Sequence, residues 1–209
     1  MPLNLHNDFT SHIRWMAQTS SWRMSGSDGH EPVTWDHAIF DLANIQTGWG
    51  IFAEGQAPEW VMDPSLEKQA PKPQDGRDWR RGFKLSVFSD SAFGGVREFA
   101  TTAVGAVRGI LQLYEQYEAE SGQHFNQVPV VQHTGATPAR IGKGNTNVPN
   151  FKIVKWADRP DALPFKDNLP EKAAYQDHQA PVAPPRPQRS DYENSPAQSN
   201  LDPNDSINL

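Results

Sequence analysis

A mainly β domain carrying one helix is predicted by three features of the sequence. Several short segments place apolar residues at every second position, one long segment spaces them by three and four, and the C-terminal stretch does neither. With 209 residues the chain has room for one such domain and a sizeable remainder.

The elements follow in order. Residues 1–30 hold Trp15 and Trp22 with little clear period and read as a peripheral N-terminal segment. Ala38–Phe52 reads as a long strand broken at Gly48 and Gly50, and Glu59–Asp63 as a short strand between turn residues. Asp63–Asp78 holds Pro64, Pro71, Pro73 and Gly76 and reads as a long mobile connection. Gly82–Phe88 alternates, with Phe83, Leu85 and Val87 on one face and Lys84, Ser86 and Phe88 on the other. Val96, Phe99, Ala103, Val107, Ile110, Tyr114 and Tyr117 then predict an amphipathic helix over Glu98–Glu120, stopped by Gly122. Val128–Thr134 is a strand that Pro129 confines to an edge or to its first residues. Asn150–Trp156 alternates again, with Phe151, Ile153 and Lys155 against Lys152, Val154 and Trp156. The resulting order is β-β-β-α-β-β. Five strands with the helix between the third and fourth match an OB-fold-like barrel, small and partly open, over residues 31–160. A ferredoxin-like fold would need a second helix, for which Asp8–Trp22 is the only candidate.

Beyond residue 160 the composition changes. Nine of the eighteen prolines lie at or after Pro160. Gln179–Gln188 is a Pro-rich linker, and Ser190–Leu209 holds too few apolar residues to offset the entropy of ordering, so 161–209 reads as a disordered tail. The net charge of −6 is uneven. Residues 1–160 carry 15 basic against 17 acidic residues, and 161–209 carry 4 against 8. The body is close to neutral and the tail is acidic.

Much chemistry is excluded. Zero cysteines remove disulfides, thiolate metal sites and cysteine nucleophiles. No run of 18 apolar residues and no basic-then-apolar N-terminus occur, so no membrane association is expected, and a cytoplasmic protein of a bacterial or phage-infected host cell is the working class. Seven histidines show no metal spacing, and Gly142-Lys-Gly-Asn-Thr146 lacks the spacing of a phosphate-cradling loop. No catalytic residue, metal or cofactor is expected.

Two segments combine cations with aromatic rings. Arg77, Arg80, Arg81 and Lys84 interleave with Trp79 and Phe83, opposed within the segment by Asp78 alone. Residues 140–159 hold Lys143, Lys152 and Lys155 with Phe151 and Trp156. Unpaired nucleic acid asks for this combination, because cations track phosphates while ring faces stack on bases. The nucleic-acid-binding candidates are therefore Arg77, Trp79, Arg80, Arg81, Lys84, Phe88, Lys143, Lys152, Lys155 and Trp156, with Trp79 foremost. Phe83 and Phe151 read equally as core.

One domain, a Pro/Gln-rich linker and a short acidic tail with apolar residues at its tip resemble the single-stranded DNA-binding proteins of bacteria and phages, nearer the divergent phage versions. The resemblance implies a non-enzymatic protein that coats single-stranded DNA in replication or recombination. It also implies a tail that recruits partner replication or recombination proteins through Asp202, Asp205, Ile207 and Leu209. The tip is less acidic than the family's usual ending and finishes in Leu rather than Phe. Self-association is left open. Two alternatives compete: a virion or adaptor protein docking through its Pro-rich tail, and a metal-dependent nucleic-acid enzyme.

Overall fold

The computed structural model describes residues 11–163 apart from 27, 28, 54, 55 and 143. Lys143, the linker and the tail, with Asp202, Asp205, Ile207 and Leu209, lie outside the described residues.

The chain runs β1 (His12–Met16), β2 (Ser21–Gly26), β3 (Gly29–Val33), β4 (His37–Phe40), β5 (Gln46–Ile51), β6 (Glu59–Met62), β7 (Arg80–Ser89), α1 (Asp90–Phe93), β8 (Gly95–Thr101), α2 (Val104–Glu120), β9 (Gln127–Ile141) and β10 (Gly144–Asp158). The strands form one sheet in the order β10-β9-β4-β7-β8-β1-β2-β3, with β5 on β7 and β6 on β5. The molecule is mainly β with one long helix, as the alternation implies. The sheet is open, with β10 and β3 at its ends, so the five-stranded barrel does not form. No helix among the described residues is long and apolar enough to cross a membrane.

Three local differences account for the larger sheet. The segment read as peripheral supplies β1 to β3, and Ile13, Trp15 and Trp22 are buried in the core. Glu98–Thr101, read as helix, belongs to β8; Gly94 at φ 64° and Gly95 at φ 122° reverse the chain after α1, so β8 returns antiparallel along β7. The helix itself begins at Val104. The Ala38–Phe52 strand is split at Leu42–Asn44, and β4 and β5 take successive stretches of one edge of β7.

The core is aromatic. Trp22 lies 5.2 Å from Trp15, 5.5 Å from Trp35, 5.1 Å from Phe99 and 6.1 Å from Phe151, centroid to centroid. Trp15 Nε1 donates to the Asn147 carbonyl at 3.0 Å and Asn147 Nδ2 to the Ala17 carbonyl at 2.7 Å, which ties β1 to β10. The helix α2 covers β10 closely because Gly105 and Gly109, one turn apart, face it. A Cβ on Gly109 would stand 2.6 Å from the Pro149 carbonyl oxygen. Gly109→Ala is therefore expected to lose about 1–3 kcal/mol, although alanine favours a helix by about 1 kcal/mol. Urea unfolding checks this, and an unchanged midpoint would count against the close approach.

His133 sits against this core, 5.4 Å from the Trp35 ring, with its Nε2 buried. Burial pushes its pKa below the ordinary 6.5, partly opposed by a backbone hydrogen bond with Gly135. The unfolded chain then binds a proton that the folded chain refuses, so stability falls as pH drops below about 6.5. His133→Phe is expected to flatten part of the loss in melting temperature between pH 7 and pH 5.

The Asp63–Asp78 connection is held rather than loose. The Ala70 N–H donates to Asp63 Oδ1 at 2.8 Å, and its carbonyl accepts from Trp49 Nε1 at 2.9 Å. At the other end of the domain Arg159 donates to both oxygens of Asp41, at 3.0 and 2.8 Å, and to the Leu163 carbonyl at 3.3 Å. Leu163 is 2% exposed, so the packed body extends past residue 160.

Candidate nucleic-acid interface

The first basic segment folds on β7 and the connection before it, and each of its cations meets a carboxylate. Arg77 Nη1 lies 2.8 Å from Glu59 Oε1 and its Nε 2.7 Å from Asp75 Oδ2. Arg80 binds Asp78, Arg81 Nη1 donates to Asp63 Oδ1 at 2.8 Å, and Lys84 Nζ is 3.7 Å from Glu98. The Arg81 hydrogen bonds hold the Asp63 carboxyl at about 2 against its burial, with Thr47 Oγ1 and the Ala70 N–H adding to the effect.

Trp79 is 4% exposed. Its Nε1 donates to Asp75 Oδ1 at 2.8 Å and its ring carries the Arg77 guanidinium at 4.9 Å. It is a packing residue, which corrects its reading as the foremost base-stacking ring. The segment looked cationic because four of its five carboxylate partners, Glu59, Asp63, Asp75 and Glu98, come from outside it.

The second segment fares differently. A bulge between Ile153 and Lys155 re-sorts the faces of β10. Lys152 opposes Gln132 and Lys155 opposes Val130, so these lysines, three residues apart, share one face. That face is the outer one, away from α2. Both lysines are exposed, and among the described residues neither forms an ion pair. Val130 opposes Ile39 and Ile39 opposes Phe88, which places half-buried Phe88 in the same row as Lys155. Phe88, Ile39, Val130 and Lys155 line a shallow open pocket of about 270 Å³.

Trp156 goes to the other face. It stacks on His124 at 4.4 Å and 8°, and its Nε1 donates to Glu120 Oε2 at 3.2 Å, so it packs beside the end of α2 rather than beside Lys152.

The chain matches no family model, no curated protein and no solved structure.

Following the register across the sheet shows what sequence reasoning missed. Phe88 opposes Val96, and two residues on Glu98 opposes Ser86 and lies beside His12. Arg14, two residues beyond His12, therefore shares the outer face, directly opposite Arg23 of β2. Both arginines are exposed. On the same face Lys84 Nζ stands 5.6 Å from the Trp60 ring, which meets Phe52 edge-on at 5.6 Å; Phe52 is 47% exposed. The negative groups there include Glu98, held by Lys84, Asp36 at the rim, bonded to His37 and Gln132, and Asp90, which lines the pocket beside Phe88 and Lys155. One sheet face thus carries Lys152 and Lys155 near Phe88 and, farther along it on β1 and β2, Arg14 and Arg23, with Phe52 and Trp60 at a margin.

Proposed function

We propose that this chain binds single-stranded DNA without sequence readout, as a non-enzymatic protein of replication or recombination, through the outer face of its sheet. The observation that carries the reading is the bulge in β10, which turns exposed Lys152 and Lys155 to one face beside Phe88. Cations along an open surface follow a phosphate backbone, and half-open rings accept bases of any identity. The five strand steps from β10 to β1 span roughly 24 Å at 4.8 Å each, room for a run of several nucleotides. The acidic tail with Asp202, Asp205, Ile207 and Leu209 is the proposed recruiting segment for replication or recombination partners in the cytoplasm of a bacterial or phage-infected cell.

Anisotropy of a labelled oligo(dT) tests the reading. Affinity is expected to fall steeply with salt. Lys152→Gln/Lys155→Gln is expected to weaken binding about tenfold at low salt and to lower the slope of log affinity against log salt by roughly 1.4. Trp79→Phe is expected to leave the affinity unchanged. Absence of binding at low salt, or equal binding by the double lysine variant, would overturn it.

A further inference from the structure

Strands β1 to β3, at one end of the sheet, carry a cluster of two arginines and two histidines. Arg14 and Arg23 are direct cross-strand partners. Like charges in that position repel, and among the described residues neither arginine has an ion-pair partner. Two residues away along the strands, on the same face, His12 and His30 reach over Ser25 of the intervening β2 until their Nε2 atoms are 2.8 Å apart. The two rings meet at 61° with centroids 4.9 Å apart, and Ser25 Oγ accepts from the His12 backbone N–H at 2.9 Å. Arg23 Nη1 also donates to the His30 carbonyl at 3.4 Å.

A short Nε2 to Nε2 contact requires one ring to donate and the other to accept. The donor ring keeps its second nitrogen free for a proton, and taking one there leaves the contact intact and charge-assisted. A second proton would set two N–H groups against each other and open the pair. The cluster therefore holds two permanent cations and one ring nitrogen open to a further proton.

We propose that Arg14, Arg23 and the His12–His30 pair form an anion site that takes a phosphate group, and that it binds more tightly as pH falls. A tetrahedral oxyanion between the two guanidiniums removes their repulsion and accepts their N–H groups. Burial first, then Arg14, His12 and Arg23, pushes the His30 pKa below 6.5. An anion on the arginines cancels two of those causes, so it eases proton uptake, and by reciprocity the protonated pair strengthens the anion. The other charged groups nearby do not reverse this. Glu98, beside His12 on β8, is engaged by Lys84, and Glu31, next to His30, lies on the opposite face of β3. The source of the phosphate rests on the function proposed above, which makes it a backbone phosphate of the bound strand.

The test follows the histidine ring resonances of the full chain by NMR at constant ionic strength. Inorganic phosphate is the probe at pH 6.5, and sulfate, whose charge is constant over the range, is the probe at pH 5.5 and 7.5. Saturable shifts of both His12 and His30, lost in Arg14→Gln/Arg23→Gln, are expected. Sulfate is expected to bind about 3- to 10-fold more tightly at pH 5.5 than at pH 7.5, with the difference lost in His12→Gln/His30→Gln. Because both arginines are exposed and repel each other, the double arginine variant is expected to melt no lower than the parent. Shifts that do not saturate, or that persist in the arginine variant, overturn the site; a pH-independent sulfate affinity overturns the acid response. Oligo(dT) separates the two proposals. If it binds while phosphate leaves both histidines unmoved, this site falls and the sheet-face reading stands. If phosphate binds and oligo(dT) does not, the site stands as one for free phosphate and the nucleic-acid reading falls.

Discussion

Replacing Arg159 with methionine is expected to remove about 3–5 kcal/mol of stability. Its side chain is 8% exposed and that of Asp41 is 3% exposed, and two hydrogen bonds join them across 118 positions of sequence. Without the guanidinium the Asp41 carboxylate stays buried, with Asn44 Nδ2 at 2.8 Å but no compensating charge from Arg159. The loss is the desolvation of that orphaned charge rather than the strength of the pair. Asp41→Leu/Arg159→Met is therefore expected to recover most of the stability, since an apolar pair carries no such penalty. Chemical denaturation of the parent, the single and the double variant measures both quantities. A single variant within about 1 kcal/mol of the parent would show that water reaches Asp41. The pair also clamps the end of the domain to the segment after β4, so the single variant is expected to gain proteolytic sensitivity near residues 159–163.

Trp22→Ala is expected to cost a similar amount, about 3–5 kcal/mol, by opening a cavity where five aromatic neighbours now meet. Trp22 is 3% exposed and touches Trp15, Trp35, Phe99, His133 and Phe151. Trp22→Phe is expected to cost less than half as much. The buried Nε1 has no hydrogen-bond partner among the described residues, and a smaller ring preserves part of the contact. Domains of this size have net stabilities of about 5–15 kcal/mol, so the alanine variant consumes a large fraction. Near-ultraviolet circular dichroism and urea unfolding read the change. An alanine variant with parental stability would mean that β1 and β2 do not belong to the cooperative core.

These strands show how much was legible. His12-Ile13-Arg14-Trp15-Met16 does alternate, with Ile13 and Trp15 buried and Arg14 exposed, but five residues are too short a run to stand out from noise. The first residues of the predicted helix are a related case. Phe99 and Ala103 satisfy helical spacing as well as a strand followed by a turn, and only the reversal at Gly94 and Gly95 decides between them. Val107, Ile110 and Tyr114 had no such ambiguity, and α2 spans Val104–Glu120, within the predicted bounds.

The candidate site divides in the same way. Lys152, Lys155 and Phe88 were visible as residues, and their common face was not. In a regular strand positions 152 and 155 point to opposite sides, and one inserted residue opposite β9 reverses that. A charge count within the eight residues around Trp79 omits Glu59, Asp63, Asp75 and Glu98, which neutralise its cations. No local pattern marks Arg14 and Arg23, nine positions apart, as neighbours; strand pairing alone brings them together.

Composition and short-range periodicity by themselves settled the mainly β character, the single long helix and the near-neutral charge of the body, because each arises from residues within one or two turns of chain. Which cations are neutralised, which rings are sealed and which lysines share a surface were decided by strand pairing between distant segments. Backbone hydrogen bonds in a sheet carry no side-chain label, so that pairing is chosen by burial of the whole core, a property no single stretch of sequence contains.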